Sequence, residues 1–132
     1  NGTPQGAVIS PLLSNIYLDP LDHLIASRRW RIVRYADDLV ILCRSGAEAA
    51  EALEVLRQWV DEHGLQLHPD KTRIVDMTRG KSGFDFLGYH FERGVRSGRL
   101  KRRPSRKSLD KFKNAVRHKT HRCNGHGLPE II

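Results

Sequence analysis

The sequence predicts an α+β fold, a small antiparallel sheet packed on helices and followed by a basic helical segment. Three observations lead there. Two apolar runs rich in β-branched residues, Trp30-Arg31-Ile32-Val33-Arg34 and Leu39-Val40-Ile41-Leu42-Cys43, flank Tyr35-Ala36-Asp37-Asp38, which reads as a hairpin with acids at its tip. Apolar residues recur at helical spacing on both sides of that hairpin. Charge is unevenly divided: residues 1–92 carry 10 Lys/Arg against 13 Asp/Glu, and residues 93–132 carry 13 Lys/Arg against Asp110 and Glu130.

Taken in order, residues 1–9 read as a loop in which Gly2, Pro4 and Gly6 are punctuation. Gly6 also permits close backbone approach to a ligand. Ser10-Pro11 starts a helix, with serine as cap and proline at the first helical position. Leu12, Leu13, Ile16, Tyr17, Leu21 and Leu24 recur along it, and Pro20 is expected to kink or end it. This helix is expected to pack beneath the hairpin. Ser45-Gly46-Ala47-Glu48 is a capping box. Ala49, Ala52, Leu53, Leu56, Trp59 and Val60 form the apolar face that follows, with His63-Gly64 as the stop. Trp59 lies on that face and reads as core rather than a base-stacking platform.

Residues 65–68 and 73–77 are expected to be short strands about a Pro69-Asp70 turn. Phe84, Phe86, Leu87, Tyr89 and Phe91 predict a hairpin turning near Glu92-Arg93-Gly94 and returning through Val95. From Arg93 the composition shifts, and Gly94, Gly98 and residues 99–104 read as a basic linker. Ser105 or Ser108 then caps a helix with Leu109, Phe112 and Val116 on one side and lysines and arginines around it.

At 132 residues the chain is one domain, or one domain (1–92) with an appendage (93–132). No apolar run reaches transmembrane length, and no secretory signal is visible. Cys43 and Cys123 make no disulfide framework, which fits a reducing cytoplasm. The basic segment interleaves charge with a helical apolar pattern, which favours phosphate binding over a merely solvated tail. A membrane-surface role would need a larger apolar face. His121, Cys123 and His126 are three loosely spaced candidate ligands with no fourth, a weak zinc signal.

The chemistry centres on Asp37 and Asp38. Adjacent carboxylates repel and lose hydration, a cost that a divalent cation offsets. Oxygen ligands without a Cys₂His₂ spacing point to Mg²⁺, with Mn²⁺ as a substitute. Asp-Asp is also an ordinary turn former. The tetrapeptide alone leaves both readings open.

The tetrapeptide is one of four ordered blocks between Gly2 and Phe91. Tyr35-Ala36-Asp37-Asp38 resembles the active-site turn of reverse transcriptases. Residues 2–18, which include Gly2-Thr3-Pro4-Gln5-Gly6, resemble the block preceding that turn in group II intron-encoded proteins; Leu67-His68-Pro69-Asp70-Lys71-Thr72 and Phe86-Leu87-Gly88-Tyr89 resemble the next two. The resemblance implies a partial reverse-transcriptase palm followed by the start of a thumb, or maturase region. It implies an RNA-directed DNA polymerase that uses two metal ions, an RNA template or intron RNA, a DNA primer and deoxynucleotides. Asp37 would bind both ions, with Asp38 binding one or setting the local field. Gln5, Gly6, Tyr35 and Ala36 would lie near nucleotide and template. Lys71 would act at the leaving pyrophosphate, and Leu87 with Gly88 would bear on the primer. Arg99, Lys101, Arg102, Arg103, Arg106, Lys107, Lys111 and Lys113 would bind phosphates.

The family also needs a third carboxylate, on a strand N-terminal to Gln5-Gly6. Because the chain opens with Asn1 in mid-motif, it is expected to be a piece of a longer protein, inactive alone. A sheet lacking that strand is expected to self-associate through its exposed edge, which light scattering would test. Three other readings stay open: a splicing maturase without polymerase activity, a retron or phage-defence reverse transcriptase, and a nucleotide cyclase. The cyclase reading gives no reason for the Pro4-Gln5-Gly6 block or the basic extension.

Overall fold

The computed structural model describes residues 10–120, which form three helices and five strands in the order α1, β1, β2, α2, β3, β4, β5, α3. The chain divides into two units, Asn1–Ile74 and Val75–Ile132.

In the first unit, α1 (Ser10–Ser27) begins at the expected Ser10-Pro11 pair but runs as one helix through Pro20. A kink or stop was expected there. An interior proline costs a helix about 3 kcal/mol. Beyond it, Leu21 and Ile25 are 1% and 0% exposed, and burying two such side chains contributes about 3–6 kcal/mol. Burial outweighs the local penalty. The buried stripe is not quite the expected one. Leu18 and Leu24 flank Leu21 and Ile25, whereas Leu12, Leu13 and Ile16 are exposed among the described residues. Tyr17 is half exposed and donates its hydroxyl to the His63 carbonyl at 2.9 Å.

β1 (Arg31–Tyr35) and β2 (Asp38–Leu42) pair antiparallel, with Ile32 opposite Ile41, Arg34 opposite Leu39 and Tyr35 opposite Asp38. Cross-strand partners share a face. Ile32, Leu39 and Ile41 therefore meet the core together, while Val33 and Tyr35 remain exposed. As expected, α1 packs against β1; α2 packs against α1 and β2.

α2 (Gly46–Glu62) starts at the predicted capping box. The Glu48 amide donates to Ser45 Oγ at 3.2 Å, and the Glu48 carboxylate accepts from the Arg44 amide at 2.8 Å, one residue before the cap. Ala52, Leu56, Trp59 and Val60 are buried on one face, joined by Trp30. Trp59 is core, as its helical position predicts.

The stretch from 65 to 78 contains neither expected strand. The amides of Lys71 and Thr72 both donate to the His68 carbonyl, closing a turn, and Ile74 is 50% exposed. Isoleucine and valine favour strands only where a neighbouring ladder takes their backbone groups. The described residues supply no such ladder here.

The second unit holds a three-stranded antiparallel sheet of β3 (Phe84–Phe86), β4 (Tyr89–Arg93) and β5 (Leu100–Pro104). Its first turn falls at Leu87-Gly88, not near 92–94. Leu87 and Gly88 have φ of 49° and 79°, the paired positive values of a type I′ hairpin turn. Phe84 stacks on its cross-strand partner Phe91 at 5.5 Å and helps fix that register. The second part of the predicted basic linker is strand β5. Its lysines and arginines obscure the strand in sequence, yet charge is what an edge strand uses to discourage further pairing. α3 (Arg106–Thr120) follows, capped by Ser105, whose hydroxyl accepts from the Ser108 amide at 3.2 Å.

Candidate active site

The predicted acidic tip is a two-residue turn: Ala36 and Asp37 link the paired Tyr35 and Asp38. Ala36 has φ of 52°, and Asp37 is not among the positive-φ residues. One positive φ, at the first central position, marks a II′ turn rather than I′. Its twist suits the strands, but glycine normally occupies that position. An L-residue is strained there, by about 1–3 kcal/mol.

Asp37 and Asp38 are both exposed, and among the described residues no hydrogen bond or ion pair engages either carboxylate. Asp38 shares the open face of the hairpin with Tyr35, which is 68% exposed. Two unpaired carboxylates offer hard oxygen donors of the kind Mg²⁺ and Mn²⁺ take. The described residues contain no cluster of three or more His, Cys, Asp or Glu that could hold a metal. The donor set fits a cation that keeps several waters and substrate oxygens as ligands.

Behind the turn lies an arrangement that the sequence reading missed. Arg34, 9% exposed, donates from Nε and Nη2 to the Asp22 carboxylate at 2.7–3.1 Å. Its Nη1 donates to Asn15 Oδ1 at 3.0 Å and to the Ala36 carbonyl at 2.9 Å. The Asp22 carboxylate raises the Arg34 pKa above its ordinary value. A signal was available: in the alternation of β1, Arg34 occupies the same inward face as Ile32. A guanidinium on a core-facing position requires a buried acceptor. Asp19, the other acid on α1, faces His23 instead. The His23 pKa is raised by its hydrogen bond to the Asp19 carbonyl and by the Asp19 carboxylate. Neither acid joins Asp37 and Asp38.

Lys71 is exposed in the 68–72 turn of the same unit, and no hydrogen bond or ion pair joins it to Asp37 or Asp38. Gln5 and Gly6 lie outside the described residues, as do His121, Cys123 and His126 with their zinc reading.

In the second unit, the Leu87-Gly88 turn is tied to the basic helix. The Gly88 carbonyl accepts from the Ser105 amide at 2.8 Å and from Ser108 Oγ at 2.9 Å. A Cβ on Gly88 would stand 3.0 Å from Ser108 Oγ. The basic residues of β5 divide by the pleat. Arg102 shares a face with the aromatics and lies 5.3 Å from the Tyr89 ring centroid, a cation–π arrangement. Lys101 and Arg103 take the other face, where Arg103 meets Glu92 at 3.4 Å. Arg106, Lys107, Lys111 and Lys113 are exposed along α3, as is Arg99 before β5.

Known proteins share much of this stretch. The family model described as "Reverse transcriptase (RNA-dependent DNA polymerase)" matches residues 1–91. The chain is 32% identical to Protein YkfC of Escherichia coli (strain K12), over 70% of this chain and 32% of that protein. It is 36% identical to the Retron Ec86 reverse transcriptase of Escherichia coli, over 56% of this chain and 24% of that enzyme. Against the Retrovirus-related Pol polyprotein from type-1 retrotransposable element R1 of Nasonia vitripennis, identity is 30% over 64% of this chain and 26% of that protein. The chain spans 24–32% of the length of these three relatives.

Proposed function

Because the chain belongs to the reverse transcriptase family, we propose that it supplies the metal-binding turn of an RNA-directed DNA polymerase of the group II intron type. The observation that carries this reading is the pair of exposed carboxylates, without a partner among the described residues, at the tip of a strained two-residue hairpin. A plain structural turn has no need of the strain that an L-residue carries at the first central position.

In this reading residues 1–92 are part of the palm, and residues 93–132 begin the thumb. Asp37 and Asp38 would hold two divalent ions, which when bound acidify the primer 3′-hydroxyl and stabilise charge in the in-line transition state. The chain's own residues position the reactants. Tyr35 packs near the primer end, and the small Ala36 leaves room for the nucleotide. Gln5 and Gly6 border nucleotide and template. Lys71 offers charge or a proton to the leaving pyrophosphate. Leu87 and Gly88 bear on the primer strand, and the basic residues of β5 and α3 bind its phosphates or those of the template.

The intron assignment rests on the Gly2-Thr3-Pro4-Gln5-Gly6 block and on the basic Pro104-Ser105-Arg106-Lys107-Ser108 start of the last helix. A retron-type enzyme is the second reading, favoured by the 36% identity to a retron reverse transcriptase. Splicing of an intron RNA by the full-length protein separates the two.

The test of polymerase function is primer extension on an RNA template with Mg²⁺, using the full-length protein that carries this chain and its Asp37→Ala variant. Extension should occur and fall below detection on substitution. Equal extension by both would remove Asp37 from catalysis. Tight binding of structured RNA without any extension would favour the splicing role alone.

A further inference from the structure

The carbonyl of Ala36 belongs to the central peptide of the II′ turn, the one joining Ala36 to Asp37. Turns I′ and II′ differ by rotation of that peptide plane. Whatever holds this carbonyl selects the turn and sets the backbone from which the Asp37 carboxylate projects. In this chain the group that holds it is Arg34 Nη1, at 2.9 Å.

Arg34 is itself fixed. Its Nε and Nη2 are forked onto Asp22, and its Nη1 also reaches Asn15. Asn15 and Asp22 lie on α1 on either side of Pro20. One side chain therefore spans the proline and connects both halves of the helix to the turn. A bidentate arginine–carboxylate pair fixes the guanidinium plane as well as its position. At 9% exposure, little water competes for the guanidinium.

We infer that Arg34 is a positioning residue for Asp37: clamped by Asp22 and Asn15, it locks the Ala36–Asp37 peptide in the catalytic orientation. Resting on the polymerase reading above, the inference adds the device that holds the metal-binding turn in place. It also assigns Asp22 a role other than metal ligation. Lysine cannot substitute, because a single ammonium cannot serve the Asp22 fork and the turn carbonyl in one plane.

The test uses the full-length protein carrying Arg34→Gln, Arg34→Lys, Asp22→Asn, and Arg34→Gln combined with Ala36→Gly. Glycine at the first central position favours the II′ turn without help. A misplacement of about 1 Å at a reacting centre costs on the order of a hundredfold in rate. Accordingly, Arg34→Gln and Arg34→Lys should lower kcat at least about tenfold, with nucleotide KM and template–primer affinity held within about twofold. Adding Ala36→Gly should recover most of the kcat that Arg34→Gln removes. A fold-wide structural role would not be rescued by one glycine in the turn.

An unchanged kcat in Arg34→Gln would overturn the inference, as would a loss confined to template affinity or a failure of Ala36→Gly to restore rate. If Arg34→Gln does not fold, Asp22→Asn carries the same kinetic test. Amide hydrogen exchange over residues 31–42 reads the clamp whether or not the protein polymerises. Faster exchange in Arg34→Gln and Asp22→Asn, slowed again by Ala36→Gly, supports it; unchanged exchange refutes it. A wild-type protein that extends no primer would count against the polymerase reading, and the exchange result would then decide the clamp alone.

Discussion

Replacing Ala36 with glycine should stabilise the protein. Ala36 holds φ of 52° at the tip of the acidic hairpin, where an L-residue is strained by about 1–3 kcal/mol. Glycine carries no such strain, but its freer unfolded chain returns about 0.4–1 kcal/mol. The net gain is about 1 kcal/mol, which for a folding unit of 60–100 residues raises the melting temperature by about 4–8 °C. The unit Asn1–Ile74 falls in that range. The opposite substitution provides the control. Valine adds a β-branch in the left-handed region and should lose a further 1–2 kcal/mol or so. Thermal melts followed by far-ultraviolet circular dichroism on wild type, Ala36→Gly and Ala36→Val measure both changes. A glycine variant melting at or below wild type, together with an unaffected valine variant, would refute positive-φ strain at Ala36. The II′ assignment and the central-peptide account of Arg34 would fall with it.

Three further outcomes are expected. A Cβ built on Gly83, at φ 71°, would stand 1.9 Å from the Phe91 carbonyl oxygen; Gly83→Ala should therefore disrupt the β3–β4 hairpin, and unchanged exchange protection of the Phe91 amide would refute this. Replacing Lys101, Arg102 and Arg103 with glutamine should weaken RNA binding across sequences and reduce the salt slope by about one for each phosphate no longer neutralised; an unchanged slope in filter-binding titrations would exclude β5 as a phosphate surface. The His23 imidazole should titrate above its ordinary value by NMR, because the Asp19 carbonyl and carboxylate both favour its charged form. Its stabilising contribution is complete below the unfolded pKa and disappears as pH rises through the folded one. Asp19→Asn should lower the midpoint only part-way, since the backbone carbonyl remains.

Elements whose signals are local were readable in sequence. The β1–β2 hairpin, the Ser45–Glu48 cap and the buried face of α2 follow from alternation, capping chemistry and 3.6-residue periodicity, each set within a few residues of chain. The ordered blocks around Asp37 and Asp38 likewise led to the reverse transcriptase family, which the match over residues 1–91 bears out. Errors arose where a distant segment decides. Residues 73–77 have strand composition without a ladder partner, and the basic stretch at β5 becomes a strand because β4 offers its free edge. Pro20 stays inside α1 because Leu21 and Ile25 find a core to enter, a gain no proline rule contains.

The sequence by itself therefore determined the hairpin, the identity of its two acids, the helix that follows and the basic character of the last segment. Only the tertiary structure decided what supports the acids. Arg34 reads in sequence as one charge in an apolar strand, and Asp22 as one acid on a helix. Folding brings them within 2.7 Å of each other and Arg34 within 2.9 Å of the turn carbonyl. A guanidinium removed from water must take whichever acceptors the fold presents, and its side-chain acceptors, Asp22 and Asn15, lie on a different element, 12 and 19 residues away in the chain.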